Sequence, residues 1–209
     1  MSAIRRGPAY QFDLSGGVLC LDFANTVSRG RAPERITDHL ASYADLVAFA
    51  GQSKIISPEG ANDLLAYARQ HGAEATRCFR KAISFRESLY RAFSASAAGR
   101  PAAAKDVEQI DDAAREALQH RKLAHANGGY RWEFDWNGRK TLDRALWAIA
   151  QSAAELLTSD TLNGVRECDA QDCGWLFLDH SRNRSRRWCD MNTCGNRQKA
   201  RRHYHRARE

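Results

Sequence analysis

No apolar run in this sequence comes near the ~20 residues that a membrane-spanning helix requires, and the stretch from Met1 to Gly7 is not followed by the apolar core of a secretory leader. Both absences point to a cytoplasmic chain that makes no membrane contact. The motifs of several common enzyme classes are missing too: there is no GxGxxG after a strand, no GxxxxGK[ST] and no HExxH. Asp179, His180 and Ser181 are the residue types of a hydrolytic triad, but three consecutive residues cannot converge on one point. The expectation is a protein that is not an enzyme, with an uncharacterised activity in its N-terminal part as the alternative. Proline is scarce, four in 209 residues, and hydrophobic residues make up 43%, enough for one good core and a small appendage.

Cysteine is concentrated where it counts. Cys168, Cys173, Cys189 and Cys194 form two C-x4-C pairs near the C-terminal end. Thiolates are soft ligands that suit tetrahedral zinc, and two short-spaced pairs let two backbone turns each present two sulfurs to one ion. Four cysteines fill the coordination shell, so the ion would be structural, because catalytic zinc keeps a position for water. In a reducing compartment clustered thiols bind metal in preference to forming disulfides. Cys20 and Cys78, remote from the cluster, read as small buried residues.

Positive charge is concentrated in the same segment. From His180 to Arg208 ten Lys or Arg stand against one acid, Asp190, whereas the whole chain is only +7, so the remainder is slightly acidic. A basic segment on a metal-held frame is the electrostatic footprint of a nucleic-acid binder. The candidate contacts are Arg182, Arg184, Arg186, Arg187, Arg197, Lys199, Arg201 and Arg202. Arg201, on a helix after Cys194, would read a groove, and the arginines between the cysteine pairs would hold phosphates. Duplex DNA leads as the partner, since aromatic residues interleaved with basic ones, as single-strand binders use them, are nearly absent here. An RNA- or protein-binding zinc module is the alternative.

The segment CGWLFLDHSRNRSRRWCDMNTCGNRQKARRHY resembles the CGNR zinc-finger family, whose tetrad is Cys194, Gly195, Asn196 and Arg197 here. LCLDFANTV, Leu19 to Val27, resembles the signature of the ABATE-type domain that precedes that finger in stress-induced transcription regulators. The resemblance implies a bacterial DNA-binding regulator with a helical N-terminal domain.

Along the chain, YQFDL alternates like a half-buried strand up to Gly16 and Gly17, and Leu19, Phe23 and Val27 recur as on one helix face. Beside that face, Asp22 and Asn25 have two readings: they bond backbone or a core arginine, or they line a pocket for a small-molecule effector. Four helical patterns follow, around Leu40 to Val47, from the cap Ser57–Pro58, from Phe79 to Phe93, and from Pro101 to Leu118, with Gly128 and Gly129 ending the helical stretch. Tyr130, Trp132, Phe134 and Trp136 alternate as a strand expected to pack in the core beside Tyr10 to Leu14, and a last helix runs from Leu142 to Leu157. Thr158 to Gly164 is the candidate hinge. The resulting expectation is a mainly α protein with a small β-sheet: a helical domain over residues 1–159 that senses an effector or forms a homodimer, then a treble-clef-like four-cysteine zinc domain over 160–209. In the latter, Trp175 to Leu178 would pair with the arginine-rich return to Trp188.

Overall fold

The protein is described by a computed structural model covering residues 10–29, 36–135 and 141–206. A short helix, α1 (Leu19–Ala24), leads into a two-stranded ribbon, β1 (Val27–Arg29) and β2 (Ile36–Asp38). Four helices follow: α2 (Tyr43–Gln52), α3 (Pro58–Gln70), α4 (Gly72–Ala97) and α5 (Ala104–Leu118). The hairpin β3 (Arg121–Ala126) and β4 (Gly129–Phe134) precedes α6 (Arg144–Leu157), and a 3-10 turn at Asp160–Gly164 opens the C-terminal part.

Local chemistry sets these boundaries. The Ser57 hydroxyl accepts the Gly60 N–H at 3.1 Å with Pro58 in the first helical turn, and Ser42 and Asp45 cap α2 reciprocally. Gly99, at φ +67, ends the 26-residue α4 in the left-handed conformation that a side chain resists. Helix α4 is the spine: Cys78, Ala82, Phe85, Leu89, Ala92 and Phe93 are buried along it against α1, α2, α5 and the C-terminal strands.

Arg86 sits on the same apolar stripe and is only 2% exposed. Its guanidinium forks onto both carboxylate oxygens of Asp38, at 2.7 Å each, and reaches Glu87 and the Thr26 hydroxyl. Burial alone would raise the Asp38 pKa, but the guanidinium and the Leu40 N–H more than offset it and hold the carboxyl below its ordinary range. The ribbon and the turn after α1 are thereby tied to the spine.

Several expectations are corrected. The signature helix stops at Ala24, and Val27 begins a strand. Residues Tyr10 to Leu14 form no strand: the Gln52 side-chain amide takes both the N–H and the carbonyl of Phe12, at 2.9 and 2.5 Å, in place of a neighbouring strand. Strand β4 pairs with β3 instead, through the tight turn at Asn127 and Gly128, so the helical stretch ends at Leu118 rather than at the glycines. Tyr130 and Trp132 are exposed, at 76% and 57%, rather than in the core. Trp136 lies outside the described residues. Among the described residues the strands form three separate two-stranded sheets.

The C-terminal part has β5 (Val165–Glu167) and β6 (Leu176–Leu178) as an antiparallel pair, so the partner of β6 is β5 and not the return to Trp188. All three residues of β6 are buried, and the period of two splits them between two cores. Leu176 and Leu178, with Val165, join the core of the helical body, while Phe177 packs with the four cysteines. A single strand therefore belongs to both units, and the expected hinge at Thr158 to Gly164 is occupied by the 3-10 turn against α4, α6 and β6.

Candidate metal centre and its basic surface

Two backbone knuckles supply the metal ligands. Cys168 and Cys173 stand on the loop between β5 and β6, and Cys189 precedes a π-helical turn (Met191–Gly195) that contains Cys194 and runs directly into α7 (Asn196–Arg206). All four sulfurs are buried and lie within 4.8 Å of one another. Cys173 to Cys189 and Cys189 to Cys194 are each 3.6 Å. A tetrahedral ion with ~2.3 Å bonds holds its sulfurs about 3.8 Å apart, so little movement separates this cluster from a zinc shell.

The electrostatics ask for a cation. Cys173 and Cys189 hydrogen-bond to Cys168 and, despite burial, draw its pKa down; the contacts with Cys168 push Cys173 and Cys189 up, with burial adding to it. Left to themselves, the thiols accommodate one negative charge easily and resist the next. A divalent ion reverses that and permits four thiolates. The site is a structural zinc centre with no coordination position left for substrate.

The tetrad after the second knuckle is explained residue by residue. Cys194 is a ligand. A Cβ on Gly195 would meet the Met191 side chain, which would have to swing aside, and would touch the Trp188 ring at 3.4 Å, so glycine lets this turn pack closely. Asn196 returns a hydrogen bond from Nδ2 to the Asn192 carbonyl at 3.2 Å. Arg197 donates to Cys194 Sγ at 3.1 Å, partly neutralising the surplus charge of a four-thiolate shell, and its other contact is Asp172.

Asp172 was not apparent as a functional residue from sequence. It faces both Arg197 and Arg201, at 3.2 and 3.1 Å, and ties α7 back to the first knuckle. Its position one residue before Cys173 was the available signal. Arg86 left a clearer one, a charge at position four after Ala82 and three before Leu89 on an otherwise apolar face.

The eight candidate basic residues do not share one role. Arg186 stacks its guanidinium 4.6 Å from the Phe177 ring and donates to the carbonyls of Trp188 and Cys189, so it braces the second knuckle. Arg187 is paired with Asp169 at 2.7 Å and lies over Trp188. Arg197 and Arg201 are held by Asp172, which constrains Arg201 as a groove reader. Arg182, Arg184 and Lys199 are exposed and have no acidic partner among the described residues. The side chain of Arg202 lies outside the described residues. Buried Asp179 shapes the loop that carries the first two. Burial alone would raise its pKa, but the Ser181 hydroxyl and the N–H groups of Ser181 and Arg186, at 2.8 and 2.9 Å, outweigh it and hold the carboxylate ionised. Arg184 takes φ +45 at the tip of this turn, a strained value for a side-chain-bearing residue.

Asn25 faces the metal unit. Its Oδ1 accepts the Leu176 N–H and its Nδ2 donates to the Leu176 carbonyl, both at 2.8 Å, in a buried setting. Around it, Leu178 N–H donates to the Gly16 carbonyl (2.8 Å), Trp175 Nε1 to the Val27 carbonyl (3.2 Å) and the Tyr90 hydroxyl to the Gly174 carbonyl (3.2 Å). Asp22 accepts the Gly16 N–H at 2.8 Å, and its burial pushes its pKa up to about 7. Of the two readings of Asp22 and Asn25, bonding to neighbouring backbone is the one these contacts match. One cavity lies between α4, α5 and α6 over Phe85, Leu146 and Trp147.

Two family models match this chain. Residues 17–160 match the one described as "Putative stress-induced transcription regulator" (ABATE), and residues 165–207 match the CGNR zinc finger. No curated protein matches it.

Proposed function

This chain belongs to the ABATE family of transcription regulators and carries a CGNR zinc finger, and from that premise we propose that it binds duplex DNA through the finger. The observation that carries the proposal is the division of labour among the arginines. Those that brace the metal site are neutralised or engaged internally, while Arg182, Arg184 and Lys199 project from a zinc-held frame with no acidic partner among the described residues. Unpaired cations on a rigid frame lose little on meeting phosphate, because no ion pair has to be broken first. The role is one of binding and not of catalysis, and the zinc serves as a frame for it. The helical body holds the finger in a fixed orientation through Asn25 and the shared strand β6.

The test is a titration of the zinc-loaded full chain with duplex DNA, single-stranded RNA and an acidic polypeptide across a salt series. Duplex DNA should bind tightest. Replacing Arg182 with Ala and Arg184 with Gly together should lower affinity and make the log–log salt slope shallower by about two, one released counterion per contact. Glycine at 184 relieves the positive φ, so the variant should melt no lower than the parent. Equal affinity for all three polyanions, or an unchanged slope, would refute the proposal, and preference for RNA would replace DNA with the alternative partner.

A further inference from the structure

Strand β4 reads Gly-Tyr-Arg-Trp-Glu-Phe from Gly129 to Phe134, and it lies at the edge of a hairpin attached to the body mainly at its base, where His120 and Phe134 meet Trp147. A two-stranded hairpin alone is barely stable in water, and an open edge with large apolar side chains invites another strand. Tyr130, Trp132 and, on β3, Leu123 are all more than half exposed. Their ring and cation contacts are within the hairpin: His125 beside Tyr130 and Arg121 over Trp132. Among the described residues no other strand pairs with the outer edge of β4.

We infer that β4 is a homodimer interface and pairs antiparallel with β4 of a second copy, centred on Trp132, to make one continuous four-stranded sheet. The argument is one of register. In an antiparallel ladder directly opposed residues must both point their backbone groups toward the partner or both away, so a strand meeting its own copy can be centred on a residue but not between two residues. Centring on Arg131 opposes two arginines, and centring on Glu133 opposes two carboxylates. Centring on Trp132 places Arg131 opposite Glu133 of the other copy twice over, so that the pair these two make along one strand can be shared across the ladder, Tyr130 opposite Phe134 twice over, and the two Trp132 rings together on the face that already carries Leu123. Opposite charges and aromatic pairs directly across a ladder are favourable, and like charges there are not. The strand is complementary to itself in one register, as an isologous two-fold contact requires. Strand β3 offers no such pairing, since Arg121 and Lys122 have no acid on their own strand to oppose.

The experiment measures the mass of the zinc-loaded full chain by sedimentation equilibrium over a wide concentration range, for the parent and two single variants, Glu133→Arg and Arg131→Glu. Each variant opposes like charges in its own dimer and should be monomeric where the parent has twice the chain mass. An equimolar mixture of the two opposes Arg with Glu at every position and should recover the doubled mass. Because recovery occurs without any change to either chain, it separates loss of the interface from loss of folding. A parent monomeric at every concentration, a variant that still doubles alone, or a mixture that remains monomeric would each overturn the inference. None of these outcomes bears on DNA binding by the finger.

Discussion

Replacing Asn25 with Leu should weaken the helical body and the metal site together. The substitution keeps the branching at Cγ, with bulkier methyls in place of the amide, and removes the side chain that pairs with both backbone groups of Leu176. Leu176 is wholly buried, so water cannot replace the lost partners. Leaving a buried N–H and a buried carbonyl unmade costs about 1–3 kcal/mol each, or roughly 2–6 kcal/mol in all, a large part of the 5–15 kcal/mol that typically separates folded from unfolded states. The assay is calorimetric unfolding of parent and variant, each with zinc and after chelation, alongside the rate of zinc release to a colorimetric chelator. The variant should unfold at lower temperature and release zinc faster. Chelation should cost the parent more body stability than it costs the variant, because in the variant the strand that transmits the loss is already loosened. A loss below about 1 kcal/mol would refute the role assigned to the amide. So would an additive pair of perturbations, since then β6 would not couple the units.

Two further outcomes follow from the same geometry. Asp22 has a folded pKa raised to about 7 by burial, well above its value in an unfolded chain, so the folded state binds the extra proton and its stability falls as pH rises between about 4 and 7, by about 1.4 kcal/mol per unit. Asp22→Asn keeps an oxygen for the Gly16 N–H and removes that dependence; its melting temperature should gain on the parent between pH 5.5 and 7.5 and then run parallel, and a constant difference would contradict the raised pKa. Arg197→Ala strips the hydrogen bond from Cys194 Sγ and one contact from Asp172, and should lower zinc affinity about 10- to 100-fold in chelator competition without changing the stoichiometry of one ion per chain.

What was legible in the sequence is what depends on spacing along one element. The two cysteine pairs, the Ser57–Pro58 cap and the helix after Cys194 are local patterns, and each stands where its pattern put it. What was not legible depends on which elements meet. Strand β3 reads Arg-Lys-Leu-Ala-His-Ala, with one large apolar residue and no alternation, and it is a strand only because β4 lies beside it. The aromatic alternation of β4 reported its period correctly but not its burial, since an exposed stripe and a stripe facing a core look alike in one sequence. The basic segment showed its charge, but not that Asp169 and Asp172 reach across from the first knuckle to occupy three of its arginines.

The deepest omission concerns side-chain amides. A carboxamide presents one donor and one acceptor at nearly the spacing of a peptide group, so Asn or Gln can stand in for a neighbouring strand, and no periodicity reports it. Two cases stand among the described residues: Gln52 closes on Phe12, and Asn25 closes on Leu176. The second case changes the meaning of the N-terminal signature. Leu21 and Phe23 serve the body's own core, but Asn25 is spent entirely on a strand that lies 151 positions further on, between the two metal knuckles. Without the finger, the Asn25 amide would have to turn to water or stay buried unpaired; without the amide, β6 would bring two unsatisfied backbone groups into the body's core. Each unit thus completes the hydrogen bonding of the other, which is why metal lost at four cysteines should be felt by helices that touch none of them.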